Sequence, residues 1–166
     1  MEHIAKLAAK SIACAIAAAV LGAAPAGAAV KVTFANAAQY TDGSRYDASA
    51  TAVIRTHLQR LAARYLDRGD SLAITVLDLD LAGYDLSSRG PNHLRVLNGA
   101  TPPKIRLRYR LERNHKVIAA GEDALSDQFY LGRPGAATSS DTFKYEKAML
   151  DDWFRERFAA GRSRSR

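Results

Sequence analysis

Residues Lys104–Leu125 read KIRLRYRLERNHKVIAAGEDAL. Between Ile105 and Leu111 apolar and basic residues alternate without a slip: Ile105, Leu107, Tyr109 and Leu111 take one parity, and Arg106, Arg108 and Arg110 the other. Side chains along a strand alternate faces, so this spacing predicts a strand with one apolar and one cationic face. Arg113-Asn114-His115 suits a turn, because Asn tolerates left-handed backbone angles, and Lys116–Leu125 returns as the second arm of a hairpin. A hairpin alone is marginal in water, so its apolar face needs a cover from elsewhere in the chain.

Two amphipathic segments can supply that cover. From a cap at Asp47 or Ser49 to about Leu66, the residues Ala50, Val53, Ile54, Leu58, Leu61, Ala62, Tyr65 and Leu66 recur at helical spacing. His57 falls beside that stripe, and Arg68-Gly69-Asp70 is expected to end the helix. A second helix runs from Thr142 to about Ala160, capped by Asp141, with Phe143, Met149, Leu150, Trp153, Phe154 and Phe158 as its apolar face. Glu146 and Arg157 share that sector and are expected at its rim or reaching a partner.

The remaining segments complete a sheet. Val30–Phe34 (VKVTF) alternates and reads as a short strand. Leu72–Leu81 (LAITVLDLDL) is another, and its apolar positions change parity near Val76-Leu77, which marks a bulge or a stretch buried on both faces. Ala82–Pro103 is a long connection in which Leu94–Leu97 fits a short extra strand. In the second long connection, Asp127–Asp141, Phe129, Tyr130 and Leu131 are expected to dock on the core. Tyr40 in the loop after the first strand is expected to cap the core edge, with an aromatic and cationic surface of Tyr40, Arg45 and Tyr46 as the other reading. The order β-α-β-β-β-α suits an α+β two-layer sandwich: a mainly antiparallel sheet of about four strands with two helices on one face.

The start of the chain follows a different pattern. Lys6 and Lys10 precede an apolar run, Ser11–Ala24, which Pro25 breaks before Ala26-Gly27-Ala28. That is the signature of a secretory signal peptide, too short for a stable membrane span, with cleavage near Ala28. The expected organisation is a leader at 1–28, one domain at 29–160, and a disordered basic tail at 161–166. The one cysteine, Cys14, lies inside the leader, so the processed chain has no disulfide. Removing Lys6, Lys10 and Glu2 leaves 22 basic and 16 acidic residues, a balance of +6, and 17 of the 22 are arginine. Such a bias fits an anionic partner, or else reflects only the composition of the genome.

Searching for chemistry yields little. There is no G-x-S-x-G, H-E-x-x-H, glycine-rich phosphate loop or cysteine pair. His57, His93 and His115 have no ligand spacing, so neither a metal nor a cofactor is expected. Asp78 and Asp80 share one strand face and suit either a divalent cation or acid–base work. The plainer reading is a surface charge ladder with Arg106, Arg108, Arg110 and Glu122. A third reading makes Arg106, Arg108 and Arg110 a contact row for an anionic partner.

Several stretches carry a resemblance: YTD (Tyr40–Asp42), HLQRLAARYL (His57–Leu66), VLDLDLAG (Val76–Gly83), PPKIRLRYRLE (Pro102–Glu112), the GE of Gly121-Glu122, LSDQFYL (Leu125–Leu131) and SSDTFKYEKAMLDDWFRERF (Ser139–Phe158). They are similar to a family of small exported proteobacterial proteins known only as a domain of unknown function, number three-zero-one-six. The resemblance implies one domain in a Gram-negative envelope, periplasmic after cleavage, with no established activity, cofactor or catalytic residue. The element order also looks like that of small envelope lipoproteins that assist lipid or lipopolysaccharide transport. The expectation is therefore a non-catalytic binding or accessory module with a cationic sheet face. Its partner would be an anionic envelope component or another envelope protein, with no nucleic acid. The alternative is a hydrolase or transferase using Asp78 and Asp80.

Overall fold

The alternating segment becomes the strand that holds the sheet together. A computed structural model describes residues 28–42, 47–85, 95–135 and 138–159. The leader to residue 27, the tail, and Arg45 and Tyr46 lie outside those residues. The elements are β1 (Ala29–Phe34), α1 (Asp47–Tyr65), β2 (Asp70–Asp80), β3 (Tyr84–Asp85), β4 (Arg95–Val96), β5 (Lys104–Arg113), β6 (Lys116–Ser126) and α2 (Lys144–Phe158). Four strands form one sheet in the order β1-β2-β5-β6, and β3 pairs with β4 in a separate ribbon. β1 runs parallel to β2, while the β2–β5 and β5–β6 ladders are antiparallel. The sheet is thus mixed, and the α+β order matches the one expected from the sequence.

Each sequence signal has a local cause in the fold. Asn114 and His115 both adopt positive φ, 49° and 62°, the geometry a two-residue hairpin needs if its twist is to match the strands. The parity change in β2 is a bulge: Val76 pairs with Leu107 and Asp78 with Arg106, leaving Leu77 as the extra residue. α1 stops at Tyr65, and Gly69 sits four residues later with φ of 86°. Gly69 therefore shapes the turn into β2 and does not cap the helix. α2 begins at Lys144, two residues later than expected, and its N-cap Phe143 makes no side-chain cap; Asp141 Oδ1 instead accepts from the N–H of Phe143 at 2.9 Å in the turn before the helix.

The two helices cover one face of the sheet. Leu72, Ile74, Val76 and Leu79 from β2, with Ile105, Leu107, Tyr109 and Leu111 from β5, all lie buried in one cluster with both helices. Tyr109 meets Trp153 and Phe158 edge-on, each at 5.8 Å, a preferred aromatic geometry. Gly121 stands opposite Tyr109, and a Cβ there would lie 3.1 Å from the phenol oxygen. Of the three residues expected to dock from the second long connection, only Tyr130 does. It is fully buried against Tyr145, whereas Phe129 is 86% exposed and Leu131 is exposed too. The chain there alternates around a 3-10 turn, so burying Tyr130 turns its neighbours outward.

An ion pair closes one end of the β2–β5 ladder. Asp70 is buried, and Arg113, its register partner, grips it with Nε at 2.7 Å and Nη2 at 2.9 Å. The same guanidinium reaches Asp67 at 3.0 Å. The hydrogen bonds from Arg113 hold the Asp70 carboxyl below its ordinary value of 3.8. Its contribution is complete above that value and disappears as pH falls through the lower folded value. Asp70→Asn should destabilise the protein at neutral pH by about 1–3 kcal/mol. Urea midpoints should show a shallower acid loss in the variant than in the parent. Equal acid limbs would contradict this role.

Candidate functional site

The sheet face away from the helices carries the arginine row. Arg106, Arg108 and Arg110 are all exposed, as their parity requires. The expected charge ladder forms only in part. Arg108 Nη2 meets Glu122 at 2.9 Å and Arg110 Nε meets Glu112 at 2.7 Å, on its own strand. Lys104 takes Asp80 at 3.1 Å. Arg106 stands opposite Asp78 in register but makes no hydrogen bond or ion pair among the described residues. Asp78 turns instead to Thr41, accepting from its N–H at 3.0 Å and its hydroxyl at 3.1 Å. The local cause is the bulge at Leu77, which re-aims the strand just where Asp78 leaves it.

A cleft opens at that point. The chain after β1 turns at Asn36, whose φ is 53°, makes a 3-10 turn over Ala37–Gln39 and overhangs the outer face of β2. Tyr40 anchors the overhang as a buried residue, donating to the carbonyl of Val76 at 2.8 Å. Burial, reinforced by the Asp78 charge, pushes the Tyr40 phenol up to about 12, so it stays protonated at neutral pH. Tyr40 therefore caps the core edge, as expected. Next to it, Asp42 accepts from the N–H of Leu81 at 2.8 Å, and burial raises its carboxyl above the usual range. The resulting cavity is about 470 Å³, lined by Asn36, Gln39, Asp78, Arg106, Arg108 and Glu122 among others.

That geometry separates the candidate residues. Arg106 and Arg108 come together in the cleft, and Arg110 stands outside its lining. Asp78 belongs to the lining and Asp80, held by Lys104, does not. The two carboxylates therefore do not converge on one cavity. Among the described residues no group of three or more His, Asp or Glu is placed to hold a metal ion. The cleft can supply charge and hydrogen bonds to a polar ligand.

Two buried polar residues lie elsewhere. Glu146, expected at the rim of its helix face or reaching a partner, is fully buried. Its Oε1 accepts from the N–H of Ala82 at 2.8 Å and from Arg95 Nη2 at 2.8 Å, tying α2 to the irregular segment after β2. Spacing on α2 placed it correctly among apolar residues, but nothing local shows a partner 51 residues away. Removing the carboxylate strands a guanidinium that is only 13% exposed. Glu146→Ala should therefore cost about 3–5 kcal/mol, measured by urea denaturation. A loss within error of zero would show that Arg95 finds water instead.

His57 is buried between the helices. Its Nε2 lies 3.2 Å from the Lys147 carbonyl and 3.1 Å from Asp151 Oδ1, both acceptors, so Nε2 carries the proton. Nδ1 is buried without a partner among the described residues. Burial lowers its pKa below 6.5, with the Lys147 charge acting the same way and Asp151 opposing. The unfolded chain thus binds a proton that the folded one resists. Stability should be complete above 6.5 and fall as pH drops from there toward the lower folded value. His57→Gln should flatten that part of the melting-temperature profile, and a profile that keeps its slope would exclude His57 as the source.

Comparison with known proteins adds a family and little else. The family described as Protein of unknown function (DUF3016) matches residues 28–156. No curated protein matches. Among solved structures, the hypothetical protein CT253 from Chlamydia trachomatis is 13% identical, with 82% of this chain and 95% of that one covered and a TM-score of 0.33. A minor lipoprotein from Acinetobacter baumannii is 14% identical, with 82% and 93% covered and a TM-score of 0.26. No helix among the described residues is long and apolar enough to cross a membrane.

Proposed function

The chain belongs to the family described as Protein of unknown function (DUF3016), and we propose that it is an exported, non-catalytic binding module of the cell envelope. Its outer sheet face takes an anionic partner through the row that contains Arg106, Arg108 and Arg110. The leader pattern at residues 1–28 supports the exported setting, and the resemblance to small exported proteobacterial proteins agrees with it.

The observation that carries this reading is Arg106. An exposed guanidinium beside a carboxylate normally pairs with it, and Arg108 and Arg110 both find partners nearby. Arg106 has none among the described residues, although Asp78 is its cross-strand neighbour. Its charge is available to a ligand without breaking an internal contact. Arg108 and Arg110 sit in exposed pairs worth about 0–1 kcal/mol each, so an incoming anion can compete for them. Paired and unpaired guanidinia together give the face a field that draws anions and weakens with salt.

Mature protein should bind phosphatidylcholine vesicles that contain phosphatidylglycerol better than those without it. Added salt should release it. Changing Arg106, Arg108 and Arg110 together to Gln should weaken that binding about tenfold, a loss of about 1.4 kcal/mol. The exposed positions should leave the melting temperature nearly unchanged. Salt-insensitive binding, or a triple variant that binds as well as the parent, would remove the proposed role of this face.

A further inference from the structure

We infer that the cleft beside β2 is a binding site for a hydroxyl-rich molecule with one anionic group, a sugar acid or sugar phosphate. This rests on the anionic-partner reading of the outer face and assigns that face a small-ligand site.

The charges in the cleft set the ligand's charge. Arg108 and Glu122 neutralise one another at 2.9 Å. Asp78 stands opposite the unpaired Arg106 across the ladder. A bare anion would meet one free guanidinium and two nearby carboxylates, a poor match for dense negative charge. A single carboxylate or phosphate on Arg106, carried by a larger polar body, fits better.

The remaining lining groups set the nature of that body. Among the described residues Asp78 receives its hydrogen bonds from Thr41 alone, one N–H and one hydroxyl proton. A carboxylate has about four lone-pair sites, so it retains capacity to accept. The side-chain amides of Asn36 and Gln39 make no hydrogen bond to described residues, and each offers donors and an acceptor. Acceptors and amides together match vicinal hydroxyls, which donate and accept at once. The apolar lining is limited to Ala35, Tyr40 and Leu77, which offers an acyl chain little to pack on.

Backbone geometry points to the same place. Asn36 holds a φ of 53°, a left-handed conformation that Asn tolerates, and it turns the chain over the cleft. The bulge at Leu77 lies across from it on the cleft wall. Bulges are over-represented where a fold re-aims side chains beside a site. The cavity of about 470 Å³ lies within the range of small-ligand sites.

Amide-resolved NMR titration of the mature protein tests this, with glucuronic acid and glucose 6-phosphate as probes. Glucose, acetate, inorganic phosphate and glutamate serve as comparisons. Both probes should shift resonances of residues 36–41, 77–78 and 106, and the comparison compounds should bind at least about tenfold more weakly. Asn36→Gly with Gln39→Ala removes the amides, and glycine accepts the positive φ. This double variant should lose about tenfold in probe affinity while keeping the parent's vesicle binding; Arg106→Gln should weaken both. Acetate or phosphate binding as well as the probes would make this a plain anion site and overturn the assignment. Preference for glutamate would overturn it in favour of a zwitterion site. If the probes do not bind while vesicle binding still depends on the arginine row, the sugar assignment falls and the anionic face stands. If neither is seen, both fall.

Discussion

Burial of Ile105, Leu107, Tyr109 and Leu111 under two helices is the constraint from which the other features follow. Each large apolar side chain moved from water into that layer contributes about 1.5–3 kcal/mol. A strand has a period of two, so committing one row to the core commits the other row to water. The arginines face outward because their neighbours face inward. A slip of one residue would bury three guanidinia and expose four apolar side chains, a cost no surface pairing offsets. β5 is flanked by strands on both sides, so its register passes to β2 and β6 and sets which of their residues join each face.

Polar contacts then fix the edges of this layered arrangement. Asp70 with Arg113 holds one end of the β2–β5 ladder, and Glu146 with Arg95 ties α2 to the segment beyond the other end. Trp153 donates its indole N–H to Asp123 on β6 at 2.8 Å, and Arg157 grips the same carboxylate. Each joins elements distant in sequence and places a charge at the margin of apolar packing, where a partner is needed. The bulge at Leu77 has the opposite effect. It draws Asp78 off its expected partner and leaves Arg106 without an ion pair among the described residues.

Much of the fold was legible because its causes are local. Alternation identified β5, the parity change located the bulge in β2, and Asn114 marked the turn. Helical spacing found both helices to within a few residues. What was hidden depends on which distant segments meet. Glu146 looked like a rim residue because spacing cannot show that Arg95 folds back over it. Phe129 and Leu131 looked like core because composition cannot tell which of three adjacent apolar residues is the anchor. The candidate site was half legible. The outward arginines followed from parity, whereas the cleft arises from the overhang at residues 36–41 and the loss of the expected Asp78–Arg106 pair. Spacing put Asp78 and Asp80 on one strand face, as members of a charge ladder or else as a working pair, and the fold gives each a different neighbour.

The chain has no cysteine after Cys14, which allows a direct test of the central claim. Single cysteines placed at Ile105, Arg106, Leu107, Arg108, Tyr109 and Arg110 can be timed for reaction with a thiol reagent under native conditions. The account predicts fast labelling at 106, 108 and 110, and protection at 105, 107 and 109 that is lost in denaturant. Labelling rates with no two-residue period, or with the arginine positions protected, would contradict it.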